Sequence, residues 1–103
     1  MALPPLRIRN GQFERAGRRF LLFGPVYFAR QPGTCGGDYF ADEWWPQAAA
    51  HLERDFSRMA EIGCNWVAPF VKTQPFFRRG RPVERVWRRY DQMVATAERC
   101  GLY

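Results

Sequence analysis

Lysine is almost missing from this 103-residue chain: Lys72 is the only one among 16 basic residues, and the other fifteen are arginine. Acidic residues are fewer, ten in all, which leaves a formal net charge of +6. Such a charge bears on solubility and non-specific association rather than on fold, and the arginine skew fits a GC-rich coding bias as well as a polyanionic partner. Histidine is limited to His51, too little material for a histidine metal site or a Ser-His-Asp triad. The three cysteines, Cys35, Cys64 and Cys100, are odd in number, far apart and form no C-x-x-C. That argues against a disulfide framework and against a thiolate zinc centre, so no metal and no cofactor is expected. No apolar run approaches the ~18 residues of a membrane span. The start, Met1 to Arg7, has no long apolar stretch of the secretory kind, so the expected compartment is the cytoplasm.

What is present is globular material. Hydrophobic residues make up 47% and aromatic residues 17%, enough apolar surface to offset chain entropy and to exclude disorder. The length allows one domain at most.

The hydrophobic pattern gives an order of elements. Leu6-Arg7-Ile8-Arg9 alternates, Asn10-Gly11 is the strongest two-residue turn signal, and Gln12 to Arg15 returns, predicting a hairpin over about 6–16. The apolar run Arg19 to Gly24, extended by Val26-Tyr27-Phe28, predicts a strand over about 19–28, buried on both faces as in a parallel sheet. Residues 30–46 form a long connection. A helix over about 47–62 follows from the stripe Ala48, Leu52, Phe56, Met59 and Ala60, with Gly63 as its stop. Residues 65–71 read as a second strand buried on both faces, and Thr73 to Arg81 as a basic, aromatic loop. A second helix over about 82–100 carries Val86, Tyr90, Met93 and Ala97 on one stripe and ends at Gly101. Strands alternating with helices of this length indicate βα units, hence an α/β fold with a parallel sheet.

The ordered series resembles the start of a glycoside hydrolase of clan A, the cellulase and mannanase type. It comprises the hairpin, the first strand, Glu53-Arg54-Asp55-Phe56, Met59, Gly63, Asn65, and Tyr90-Asp91-Gln92-Met93-Val94 running to Ala97-x-x-Cys100-Gly101-Leu102. The resemblance covers nearly the whole chain. It implies an N-terminal hairpin plus the first two βα units of a (β/α)8 barrel, an incomplete one, since a whole barrel takes ~250 residues. Val26 stands where that family usually has Asn, and Ala68 where it commonly has Arg; Tyr27 and Arg30 match.

The same resemblance implies that the two carboxylates of glycoside hydrolysis follow later strands, so no catalytic residue is assigned here and the chain alone should not hydrolyse a glycoside. Asp38, Asp42 and Glu43 are the acids in a loop at a strand's C-terminal end; Asp38, beside Gly36-Gly37, reads as a turn residue and Asp42 as a turn or helix-start residue. Carbohydrate is the expected partner, with Tyr27, Arg30, Trp44 and Trp45 as the substrate-binding candidates. Two other readings compete. Arg78-Arg79-Gly80-Arg81, beside Phe76-Phe77 and followed by Arg85, Arg88 and Arg89, has the charges and rings of a small nucleic-acid-binding module, although these helical arginines equally fit a solvated face. The other is a non-catalytic half-barrel that self-associates through exposed strand edges.

Overall fold

A computed structural model describes residues 2–28 and 38–103. The chain opens as a three-stranded antiparallel meander of β1 (Arg7–Arg9), β2 (Gln12–Arg15) and β3 (Arg18–Arg19). The first turn explains its register. Asn10 and Gly11 hold φ of 52° and 74°, the pair of positive values that a type I′ hairpin requires, and this sets Ile8 opposite Phe13. Across the second turn, Arg15 faces Arg18, and the Arg15 guanidinium lies 4.5 Å from the centre of the Phe20 ring.

Beyond the meander, β4 (Val26–Tyr27) pairs in parallel with β5 (Ala68–Pro69), Val26 opposite Ala68 and Tyr27 opposite Pro69. Further bonds extend this pairing in both directions. The Asn65 N–H donates to the Phe23 carbonyl (2.9 Å), the Ala68 N–H to that of Pro25 (3.0 Å) and the Phe70 N–H to that of Tyr27 (3.1 Å). The Asn65 side chain brackets the approach, accepting from the Phe23 N–H and donating to the Leu21 carbonyl, both at 2.8 Å. Gly24 is required here by close approach: a Cβ at this position would stand 1.6 Å from the Trp66 carbonyl oxygen.

The helices are α1 (Trp45–Glu61) and α2 (Glu84–Arg99). In α1, Ala48, Leu52 and Phe56 are buried at helical spacing; in α2, Val86, Met93 and Ala97 are. Together with Tyr27 and Val67 they build one core. The side chains of α1 and α2 also meet outside it, where Arg99 pairs with Glu53 at 3.0 Å. Helix α2 ends as its glycine predicts: Gly101 has φ 78°, and the Leu102 N–H turns back to the Ala97 carbonyl at 2.9 Å.

The next residue joins the sheet. Tyr103 donates its N–H to the Asn65 carbonyl and accepts the Val67 N–H, both at 2.9 Å. This two-bond pattern is that of a parallel bridge to Trp66. Tyr103 therefore lies beside Trp66, just ahead of β5, as a third parallel neighbour.

Three expectations are corrected. The run 19–28 is not one strand, because its first residue belongs to the meander and only its end enters the parallel pair. Nor are the two parallel strands buried on both faces. Tyr27 and Val67 are covered, while Val26 (55%), Phe28 (50%) and Phe70 (47%) remain exposed on the opposite face. A continuous apolar run does not say how many of its faces have a neighbour. Lastly, 73–81 is not a plain loop: a 3-10 turn (Gln74–Phe76) leads into a tight hairpin, β6 (Phe77–Arg78) and β7 (Arg81–Pro82).

The radius of gyration is 15.1 Å, above the ~13 Å of a compact domain of about 100 residues. Among the described residues, no helix is long and apolar enough to cross a membrane.

Candidate functional site

Ligand sites on parallel α/β sheets lie beyond the carboxyl ends of the strands, where the loops converge. Among the described residues, that end is framed by Phe28 after β4, the segment 38–44 before α1, and the connection from β5 to α2.

Tyr27 stands at this end but faces the helices. It is 5% exposed, its ring meets Phe56 edge-on at 5.2 Å, and its hydroxyl donates to Asp55 Oδ2 at 2.8 Å. Burial, reinforced by that carboxylate, pushes its ionisation well above the usual tyrosine range. Tyr39 is in similar case: it is 1% exposed, burial raises its ionisation, and its hydroxyl donates to the Phe70 carbonyl. Both phenols thus act as neutral struts between loops, strands and helix.

Trp45 begins α1 and stacks on Phe40 with centroids 5.6 Å apart and planes 16° from parallel. Phe40 is itself fully buried, so Trp45 serves as packing over the helix start. Trp44 is half-buried at the α1 N-cap, and its N–H donates to the Ala41 carbonyl at 3.1 Å. Arg30 lies outside the described residues, as does the side chain of Asp38. The structure therefore brings Tyr27 and Trp45 into one aromatic core through Tyr39 and Phe40.

Asp42 proves to be an anchor. Both of its oxygens accept from Arg85, at 3.1 and 2.8 Å, and Arg89 approaches to 2.7 Å. Hydrogen bonding from Arg85 first, then Arg89, holds its carboxyl well below the usual carboxylate range. An acid so fixed in its anionic form is no proton donor near neutral pH. Its effect is to tie the segment before α1 to the first turns of α2. Arg89 adds a bond to the Phe40 carbonyl at 2.8 Å.

Two features of this end escaped the reading of individual residues. Phe28 and Phe70 stack at 4.9 Å, 16° from parallel, on the uncovered face at the ends of the paired strands. The signal was the period-two alternation: once Tyr27 turns inward, Phe28 must turn outward. The second feature is the β6–β7 hairpin, where Arg78 faces Arg81 and the turn is Arg79-Gly80, with φ of 52° and 75°. Arg-Gly between two short extended pairs is its signal.

Among the described residues, no group of three or more His, Cys, Asp or Glu is placed to hold a metal ion. Cys64 and Cys100 are free thiols, and Cys35 lies outside the described residues. Comparison with protein-family models, with curated proteins and with solved structures returns no match for this chain.

Proposed function

We propose that residues 1–103 are the opening βα units of a (β/α)8 glycoside hydrolase of the cellulase and mannanase type, contributing carbohydrate-binding surface to a barrel whose catalytic carboxylates lie on later strands. The observation that carries this reading is the order of parallel neighbours: β4, then β5, then Tyr103, each reached through a helix packed on the same face. Doubly wound sheets reverse strand order and put helices on both faces. A barrel adds each strand beside the last, keeps its helices outside, and buries the other face in its interior.

Other features agree. The uncovered face presents Val26, Phe28 and Phe70, apolar residues suited to a barrel interior. An apolar groove of about 440 Å³, lined by Leu3, Pro4, Val67, Met93, Ala97 and Tyr103 among others, opens beside the third neighbour, on the side where another βα unit would pack. The meander leads through residues 20–25 into the amino end of β4, and on this reading it is the bottom plug. On this reading the Phe28–Phe70 pair stands at the mouth of the barrel, where flat aromatic faces stack on sugar rings, and Asp42 with its two arginines fixes the segment just before α1. Hydrolysis in the intact enzyme proceeds by the two-carboxylate mechanism; the chain alone is inactive.

The coding sequence beyond the Tyr103 codon provides the test, followed by assay of the encoded protein on β-linked glucans and mannans. The expected frame continues for on the order of 150 codons, enough for the remaining βα units, and its product releases reducing sugar. A frame without further βα units, or a complete barrel inert on every glycan, would overturn the proposal.

A further inference from the structure

The β5–α2 connection carries arginines that pair with no carboxylate among the described residues. Arg54, Arg85, Arg88, Arg89 and Arg99 all pair with acids. Among the described residues, Arg78, Arg79 and Arg81 make no ion pair. The basic run that continues in sequence down α2 is therefore largely cancelled on the helix. Its uncompensated charge gathers at one two-residue turn, beyond the carboxyl end of β5.

Arg79 holds φ 52°, a conformation that Asn or Gly adopts more readily in this type of turn. An arginine at the tip is thus not there for the sake of the turn. Arg78, Arg79 and Arg81, with Pro82 and Val83, line a shallow open concavity. Alongside it, Phe77 (48% exposed) and Trp87 (39%) meet edge to face at 5.9 Å, leaving ring surface toward solvent.

Planar guanidinium groups recognise carboxylates through two parallel hydrogen bonds, and ring faces accept the C–H side of a sugar. A neutral glycan offers three such cations only hydroxyl acceptors, which bind a guanidinium more weakly than a carboxylate does. Nucleic acid is the poorer fit, because tracking a phosphate backbone takes an extended basic groove, and the ion pairs along α2 remove it. Building on the barrel reading, which puts this hairpin on the rim of the site, we infer that β6–β7 is a binding site for carboxylate-bearing sugars. The substrate class is then a glycan containing uronic acid.

The test titrates the 103-residue chain calorimetrically at low salt with four probes: galacturonic acid oligomers, their methyl esters, cellohexaose and a single-stranded DNA oligomer. Two triple variants are compared, R78Q/R79Q/R81Q in the hairpin and R7Q/R9Q/R18Q in the meander that leads into the amino end of β4. Both remove the same charge from exposed positions, and circular dichroism checks that each stays folded.

The acid oligomers are expected to bind. Methyl esterification and the hairpin triple should each weaken binding by about tenfold or more, as loss of charge-assisted bonds does, while the meander triple stays within about twofold. Equal weakening by both triples would reduce the effect to net charge and overturn the inference. So would tighter binding of the DNA oligomer, or no binding of the acid oligomers. Cellohexaose bound as well as the acid oligomers, and untouched by the hairpin triple, would sink the uronate site while leaving the barrel reading in place. Uronate binding that the hairpin triple abolishes would uphold the site even if the downstream frame encoded no barrel.

Discussion

Gly24→Ala offers the sharpest perturbation of the parallel pair. The added methyl would stand 1.6 Å from the Trp66 carbonyl oxygen and 2.6 Å from its carbon. Both are backbone atoms, so no side chain can swing aside and the strands must part. Four hydrogen bonds cross this region: Asn65 N–H to Phe23, Ala68 N–H to Pro25, and the two from the Asn65 side chain. At a net value of about 1 kcal/mol each, their loss comes to about 4 kcal/mol. A chain of this size has a total of roughly 5–15 kcal/mol to lose. With a urea dependence of about 2 kcal/mol per molar, the unfolding midpoint should drop by about 2 M. Gly80→Ala is the control, since its Cβ would meet nothing within 4 Å and only the positive φ is strained, which costs about 1–2 kcal/mol. Urea unfolding followed by circular dichroism measures both. A Gly24→Ala midpoint within about 0.3 M of the parent, or below no more than that of Gly80→Ala, would refute the close approach of Gly24 to β5.

Further outcomes follow from the same geometry. Asn65→Ala should cost about 1–2 kcal/mol in the same assay, because the Phe23 N–H and Leu21 carbonyl lose their partner; Asn65→Asp, which still accepts from Phe23, should cost less. Phe56→Ala empties a fully buried site under Tyr27 and should cost about 3–5 kcal/mol, enough to leave the chain largely unfolded by near-ultraviolet circular dichroism. The Asp42 carboxyl sits below its unfolded value of about 3.9, so its stabilisation is complete above that pH and fades as pH falls further; Asp42→Asn should flatten the acid side of the stability curve. Tyr27 and Tyr39 behave oppositely. Burial holds their ionisation above the ordinary value of about 10, so stability should decline as pH rises past it, and Tyr27→Phe should lessen that decline. Finally, the uncovered Val26, Phe28 and Phe70 should drive the isolated chain to self-associate. Phe28→Asp with Phe70→Asp should return it to a 12.1 kDa species by light scattering, and a parent chain already monomeric would contradict this.

The parts of the fold legible in sequence were those fixed locally. Asn10-Gly11 specifies its turn without help from the rest of the chain, and Gly63 and Gly101 end their helices by conformation alone. The stripes of α1 and α2 follow from one-dimensional spacing, and the parallel pair follows from their alternation with the apolar runs. What spacing leaves undetermined is which neighbour a face receives. Tyr27 and Phe28 are adjacent aromatics at the same strand end, yet one is buried against Phe56 and the other lies open. Choosing between them needs the side on which the helices pack. Asp42 read as a turn residue because its partners, Arg85 and Arg89, are more than forty positions away. The β6–β7 hairpin escaped because each strand is only two residues long and one of them holds a proline, a poor strand former.

The bridge between Tyr103 and Trp66 is where the account is most directly tested, since the order of three parallel neighbours rests on it. Amide hydrogen exchange by nuclear magnetic resonance, with scalar coupling across the hydrogen bond from the Val67 N–H to the Tyr103 carbonyl, reads that bond itself. The account predicts a measurable coupling and a Val67 amide protected to the same degree as those of Ala68 and Phe70, which bond to the β4 side. A Val67 amide that exchanges as in an unfolded chain, while Ala68 and Phe70 remain protected, would leave β4 and β5 as an isolated pair and contradict the barrel order.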